Sequence, residues 1–268
     1  MKSIVVSNEK GGIGKTFTCF ALGNILSTDS HPRAKADHHR KALRVLVVDL
    51  DQQGHSTLLL TGKKHTEFEE NVMTAMAREN ANGALYEIHE NLSVLPGTSK
   101  VATFEKFVTQ NNIQEPAYLL NRTLEKVADQ FDICLIDTNP TTSLLNMQAL
   151  NVTLGGFTNM LIPMQTEKLG YTSVLQFVST LKAVQSTTNP NLRILGIQPI
   201  LLDQTSIDHE YVEKARASFK TLTMSHVVHR RAELKRMAEF GFSEHYAKQR
   251  QALTDYYLVA KEVVERVQ

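Results

Sequence analysis

The sequence predicts an α/β domain built on a mostly parallel, twisted sheet with helices on both faces. Short β-rich runs recur at Ser3 to Ser7, Arg44 to Leu50, Leu92 to Leu95, Asp132 to Asp137, Thr158 to Pro163, Arg193 to Ile200 and Met224 to Val228, separated by helix-length segments. Several runs, such as Val45-Leu46-Val47-Val48 and Ile133-Cys134-Leu135-Ile136, are apolar at every position. That is the pattern of strands covered on both faces. A chain of 268 residues with 42% hydrophobic content can bury a full core, so one domain over residues 1–268 is expected.

The first strand runs into Asn8-Glu9-Lys10-Gly11-Gly12-Ile13-Gly14-Lys15-Thr16 and then into a helix-like stretch, Phe17 to Leu26. Strand, glycine loop and helix in that order are the context of a P-loop, and hence of a P-loop NTPase. Glycines let backbone N–H groups converge on phosphate oxygens, and the helix N-terminus adds partial positive charge. The segment from Gly11, Gly12, Ile13 and Gly14 through Lys15, Thr16 and Phe17 is therefore the candidate nucleotide cradle. Lys15 is placed for the β- and γ-phosphates and Thr16 for Mg²⁺. The usual spacing asks for glycine at position 9, where this chain has Glu9, and a second lysine, Lys10, precedes the glycines.

The second strand ends in Asp49-Leu50-Asp51-Gln52-Gln53-Gly54-His55-Ser56-Thr57. Acidic groups at the C-terminal end of a parallel strand lie where open α/β sheets bind ligands, although paired aspartates also cap turns and helices. The run Ile133 to Ile136 ends in Asp137, followed by Thr138-Asn139-Pro140, a Walker B arrangement that holds Mg²⁺. Asp137, Asp51 and Thr16 are the candidate metal-site residues.

With Lys10 before the two glycines, the loop resembles the deviant Walker A motif of the ParA/MinD family of P-loop ATPases. That resemblance implies that Lys10 reaches across a nucleotide-sandwich homodimer to phosphates bound by the partner subunit. It also implies that Asp49 positions the attacking water, so Lys10, Lys15 and Asp49 are the expected catalytic residues, with ATP and Mg²⁺ as cofactors. Two positions depart from the family pattern: Asn139 stands where proline is common, and Phe17 where a small hydroxyl residue is common. The segments Leu161 to Glu167 with Gly170, and Val227 to Ala238, resemble later parts of the same family, so the resemblance covers nearly the whole chain.

Among the branches, the short ParA-type partition ATPases fit best, since no helix-turn-helix segment precedes the P-loop. The resemblance then implies ATP-dependent dimers that bind DNA nonspecifically, a centromere-binding adaptor protein that stimulates hydrolysis, and a cytoplasmic, nucleoid-associated protein. Between His226 and Arg250 there are six Lys or Arg against three acids, and Arg230, Arg231, Lys235 and Arg236 are the DNA-binding candidates. The alternative is an ATP-switched positioning protein without DNA binding, either MinD-like or a scaffold for a conjugation or secretion machine.

Other features bound these readings. The formal net charge of +1 excludes a globally basic protein, so DNA contact needs a local patch. Cys19 and Cys134 are far apart in apolar runs, which argues against a disulfide framework or a zinc site. No run reaches the roughly 18 apolar residues of a membrane span, and the C-terminal charges alternate rather than form a membrane-binding face, so no membrane partner is expected. A polar stretch near 28–42 reads as a loop insertion, and Ala252 to Val267 as a packing helix.

Overall fold

The computed structural model describes residues 1–12, 14–28, 42–139, 143–203, 205–240 and 247–267. The expected insertion, apart from its ends, lies outside them, as do Ile13 and Pro140.

The described residues form one eight-stranded sheet. Its strands are β1 (Lys2–Val6), β2 (Val45–Asp49), β3 (Tyr86–His89), β4 (Leu92–Leu95), β5 (Ile133–Asp137), β6 (Thr158–Gln165), β7 (Leu192–Leu202) and β8 (Val228–His229), in the spatial order β3-β4-β2-β5-β1-β6-β7-β8. All neighbours are parallel except the β3–β4 pair at one edge. The expected mostly parallel sheet is therefore present. The sequence reading missed β3, whose four half-exposed, partly polar residues carry neither alternation nor an apolar run. It placed the last strand early: Met224 is buried, but regular pairing begins only at Val228.

Side chains of alternating parity enter two cores. Val5, Leu46, Val48, Cys134 and Ile136 pack on one face with helices α3 (Val72–Ala77), α4 (Phe104–Gln110), α5 (Leu119–Glu125), α6 (Leu144–Leu150), α7 (Lys168–Thr187) and α8 (Ser206–Phe219). Ile4, Val6, Val45, Val47, Ile133 and Leu135 pack on the other, under α1 (Lys15–Leu26), α2 (His55–Thr61), α9 (Ala232–Phe240), α10 (Ala247–Ala252) and α11 (Thr254–Val267). A period of two in the strands supplies both faces, which is why those runs read as continuously apolar. Helix α11 is the packing helix expected at the C-terminus. Its Glu262 ties it to the segment before β8, accepting from the Ser225 and His226 N–H groups, and also accepts from Arg266 of the same helix.

Strand β1 lies between β5 and β6: the chain leaves β1 toward β2 on one side, and the connection after β5 crosses β1 to reach β6 on the other. Ligands of open α/β sheets bind beside such a switch point, at the C-terminal ends of the strands. One close approach shapes that edge: a Cβ on Gly170, in the first turn of α7, would sit 2.1 Å from the Gln165 carbonyl oxygen. Gly170→Ala is expected to cost about 2 kcal/mol or more, roughly 4–8 °C of Tm at this chain length, measured by thermal unfolding.

Candidate active site

The loop after β1 is tied down by its own side chains. Asn8 Nδ2 donates to the Pro163 carbonyl at 2.8 Å, and the Lys10 N–H donates to Asn8 Oδ1 at 3.2 Å. Glu9 Oε1 accepts from Thr180 Oγ1 of α7 at 3.1 Å, so the residue that replaces the usual glycine docks the loop on a helix. Gly12 and Gly14 hold φ of 71° and 78°, the left-handed region that a β-carbon disfavours. Gly14 is the N-cap of α1, and no side chain caps that helix. Its first backbone N–H groups are left for an anion.

Lys15 is 6% exposed and donates to the carbonyls of Asn8 (3.1 Å) and Lys10 (2.8 Å), so its ammonium crosses the mouth of the loop. Burial lowers its pKa, and the charges of Asp137 and Asp51 partly oppose that. Both carboxylates therefore lie within electrostatic reach of the P-loop lysine.

Asp49 and Asp137 are register partners at the ends of β2 and β5, and both are fully buried. Burial pushes the Asp49 carboxyl up to about 6. The hydrogen bonds from Thr57 and Asp51 oppose this. Burial, then the Asp49 charge, push Asp137 up to about 7, against the Ser56 and Thr16 hydroxyls. Ser56 Oγ donates to Asp137 Oδ2 at 2.8 Å, whereas Asp137 Oδ1 is buried without a hydrogen-bond partner. A fully buried carboxylate with one orphaned oxygen, beside a threonine and a lysine, fits a site for a divalent cation. The expected group of Thr16, Asp51 and Asp137 is thus brought together.

Asp49 has a different setting from the one expected. Its Oδ2 accepts from the Thr57 N–H and Thr57 Oγ1, both at 2.7 Å, and its Oδ1 from the Asp51 N–H at 3.1 Å. Gly97 closes the remaining side: a Cβ there would lie 2.9 Å from Asp49 Cγ. A carboxylate enclosed in this way pins the start of α2 to the sheet and has no open face toward a water. The geometry therefore argues against the water-positioning role expected of Asp49 and leaves Asp51 the more open of the two carboxylates. The Asp51 side chain is 17% exposed, and its contacts are the Gln53 N–H (3.2 Å) and His55 Nδ1 (3.5 Å). Ser56 and Thr57 are site residues that the sequence reading missed, although Gly54, a left-handed N-cap two residues earlier, marks the turn that delivers them.

The remaining candidates divide. Phe17 directs its ring onto Phe20 and Tyr256, with centroids 5.5 and 5.6 Å apart, so only its backbone can serve a phosphate. Lys10 turns away from the cradle to Gln165 and Glu167. The basic candidates do not form one outward patch. Arg230 Nε contacts both oxygens of Asp203 at 2.9 Å, Arg231 pairs with Asp255 at 3.3 Å, and Arg236 with Glu233 at 3.6 Å. Arg230 and Arg231 line a hollow of about 170 Å³ with Leu202, Asp203 and His229, at the C-terminal ends of β7 and β8. This is the sheet edge that also carries Gly14, whose Cβ would lie 3.1 Å from Ile200 of β7. Lys235 and Arg236 occupy the outer face of α9, opposite the buried Leu234 and Met237.

Residues 1–194 match the family described as AAA domain. The chain is 29% identical to the chromosome partitioning protein ParA of Myxococcus xanthus, over 89% of this chain and 78% of that protein. It is also 29% identical to the sporulation initiation inhibitor protein Soj of Bacillus subtilis, over 90% and 88%. Among solved structures, cobyrinic acid a,c-diamide synthase from Mycobacterium smegmatis, with bound ATP analogue and magnesium, superposes with a TM-score of 0.78 at 25% identity, covering 99% of this chain and 94% of that one.

Proposed function

This chain belongs to the ParA/MinD family of P-loop ATPases, and from that premise we propose that it is a ParA-type partition ATPase. In this reading it binds ATP with Mg²⁺, pairs as a sandwich dimer, holds DNA without sequence preference, and is reset when a centromere-binding adaptor stimulates hydrolysis. It would work in the cytoplasm, on the nucleoid.

The observation that carries the reading is the pair of lysines at one loop. Lys15 lies in the mouth of its own cradle, whereas Lys10 turns away from that cradle to Gln165 and Glu167, which leaves it to serve an opposing subunit's nucleotide in this reading. Such a contact supplies charge in trans, as an arginine finger does. Within one subunit, the loop N–H groups and Lys15 bind and orient the phosphates. Thr16, Asp51 and Asp137, the last through its orphaned Oδ1, would hold Mg²⁺, which neutralises phosphate charge when bound. Asp51 orients the attacking water, while Asp49 holds the strand end that carries it.

DNA contact in this reading falls to Lys235 and Arg236, since Arg230 and Arg231 are already paired. The test is duplex binding followed by fluorescence anisotropy. ATP, and not ADP, is expected to promote binding at low salt, with a loss of at least about 10-fold between 50 and 200 mM salt through counterion release. Joint Lys235→Glu and Arg236→Glu substitution should weaken binding regardless of sequence. If ATP promotes no duplex binding at low salt while turnover is normal, the partition reading gives way to an ATP-switched positioning protein. The internal pairing of Arg230 and Arg231 favours that second reading.

A further inference from the structure

Strand β3 ends the sheet, so one of its edges has no neighbouring strand. Among the described residues, Tyr86 to His89 make no backbone-to-backbone hydrogen bond outside the β3–β4 pair. Such an edge is a template for another extended chain, and proteins commonly blunt it with lysine or proline. Here the one permanently charged side chain on the strand is the exposed Glu87. At the Tyr86 end of this edge opens a hollow of about 260 Å³, walled by residues 63 and 67–70, the turn 83–85 and Pro96. Phe68 stands edge-on to Tyr86, with centroids 5.2 Å apart, and makes one wall aromatic. The rim carries Glu67, Glu69 and Glu70 against Lys63. Glu70 pairs with Arg78 at 2.7 Å and Glu67 Oε1 accepts from the Lys64 N–H at 2.9 Å, whereas exposed Glu69 forms no ion pair with a described residue. Lys63 Nζ lies 4.9 Å over the Tyr86 ring, so the hollow already draws a cation of its own chain. The walls are set by the fold: the Val72 N–H donates to the Pro96 carbonyl at 2.8 Å, and Asn71 caps α3.

We propose that the β3 edge and this hollow together dock an extended basic peptide of a partner protein. The peptide adds a strand to β3 and seats one lysine or arginine against Phe68, Tyr86 and Glu69. The aromatic wall takes the aliphatic stem of that side chain, and the carboxylate takes its charged end. A four-residue edge offers few backbone hydrogen bonds, so the hollow supplies the side-chain selection that the ladder lacks. Charge decides the occupant. A second copy of this chain on the same edge would bring two Glu87 carboxylates onto one strand pair, and like charges there are destabilising. A basic peptide instead meets unpaired carboxylates at both Glu69 and Glu87. The surface belongs to one subunit and lies outside the phosphate loop, so docking requires neither nucleotide nor dimer.

The probe is a fluorescein-labelled decapeptide of alternating lysine and valine, followed by anisotropy with the full-length, nucleotide-free protein. Its affinity should fall about ten-fold or more when glutamate replaces lysine, and by a similar factor in the N-methylated form, which keeps the charge and loses the backbone donors. Glu69→Lys should weaken binding about five-fold or more, and Lys63→Ala should strengthen it, because the hollow loses its own cation. Glu105→Lys, at an exposed position of α4, should leave it unchanged. Hydrogen exchange of the Glu87 to His89 amides should slow when the peptide is added. Equal binding of the N-methylated peptide overturns strand addition. Equal losses in Glu69→Lys and Glu105→Lys reduce the attraction to general surface charge and overturn the site. Self-association of the protein alone that slows the same amides hands the edge to a second copy and overturns the proposal.

Discussion

Asp51→Ala is expected to lose some Mg-ATP affinity, since Thr16 and Asp137 remain to hold the cation, and to turn bound Mg-ATP over about 10²- to 10³-fold more slowly, the usual scale for losing a group that orients or deprotonates a nucleophile. The two aspartates at the end of β2 differ in what surrounds them. Asp49 spends its oxygens on Thr57 and the Asp51 N–H, in a fully buried setting, whereas Asp51 keeps an open side and acts electrostatically on Lys15. Asp49→Ala should therefore act through the fold. It orphans the Thr57 N–H and hydroxyl and the Asp51 N–H, each unsatisfied buried group costing roughly 1–3 kcal/mol. A marked drop in Tm should accompany any loss of activity. Measuring ATP affinity, single-turnover hydrolysis and Tm for both variants separates the roles. Normal turnover in Asp51→Ala, together with a stable but inactive Asp49→Ala, would return the water to Asp49.

This reversal shows where a sequence stops being legible. The loop, both acidic strand ends and the parallel sheet could be read because each depends on local pattern: glycines before a lysine, apolar runs ending in aspartate. Which of two aspartates faces the ligand depends on Thr57 and Gly97, which arrive from α2 and from the segment after β4. No spacing rule within Asp49-Leu50-Asp51 contains that information. The cluster of arginines after β8 is less legible for a related reason. Their partners Asp203 and Asp255 lie 27 and 24 residues away in sequence, so a local charge tally counts cations that the fold has already paired. Strand β3 was missed because an antiparallel edge needs only a hydrogen-bonded neighbour, and β4 supplies it.

The contribution of Asp137 to the stability of the nucleotide-free protein should fall as pH rises from about 4 to about 7, and Asp137→Asn should remove that fall. Asp137 titrates near 3.8 in the unfolded chain and is pushed up to about 7 in the fold, chiefly by burial and then by Asp49 across the β2–β5 ladder. A raised carboxyl means that the folded state holds the proton more tightly. Its stabilising contribution is complete below pH 4 and is lost as pH climbs through 7. Asparagine carries no charge at any pH. Denaturant midpoints at pH 5 and pH 8 for both proteins give the difference free of the other titrating groups they share. Mg-ATP should act in the opposite sense, stabilising the wild type more at pH 8 than at pH 5, because a cation takes the deprotonated carboxylate. A wild type and an Asp137→Asn variant with parallel pH profiles would mean that the buried carboxylate pair exerts no such strain, and the orphaned Oδ1 would lose its standing as a cation ligand.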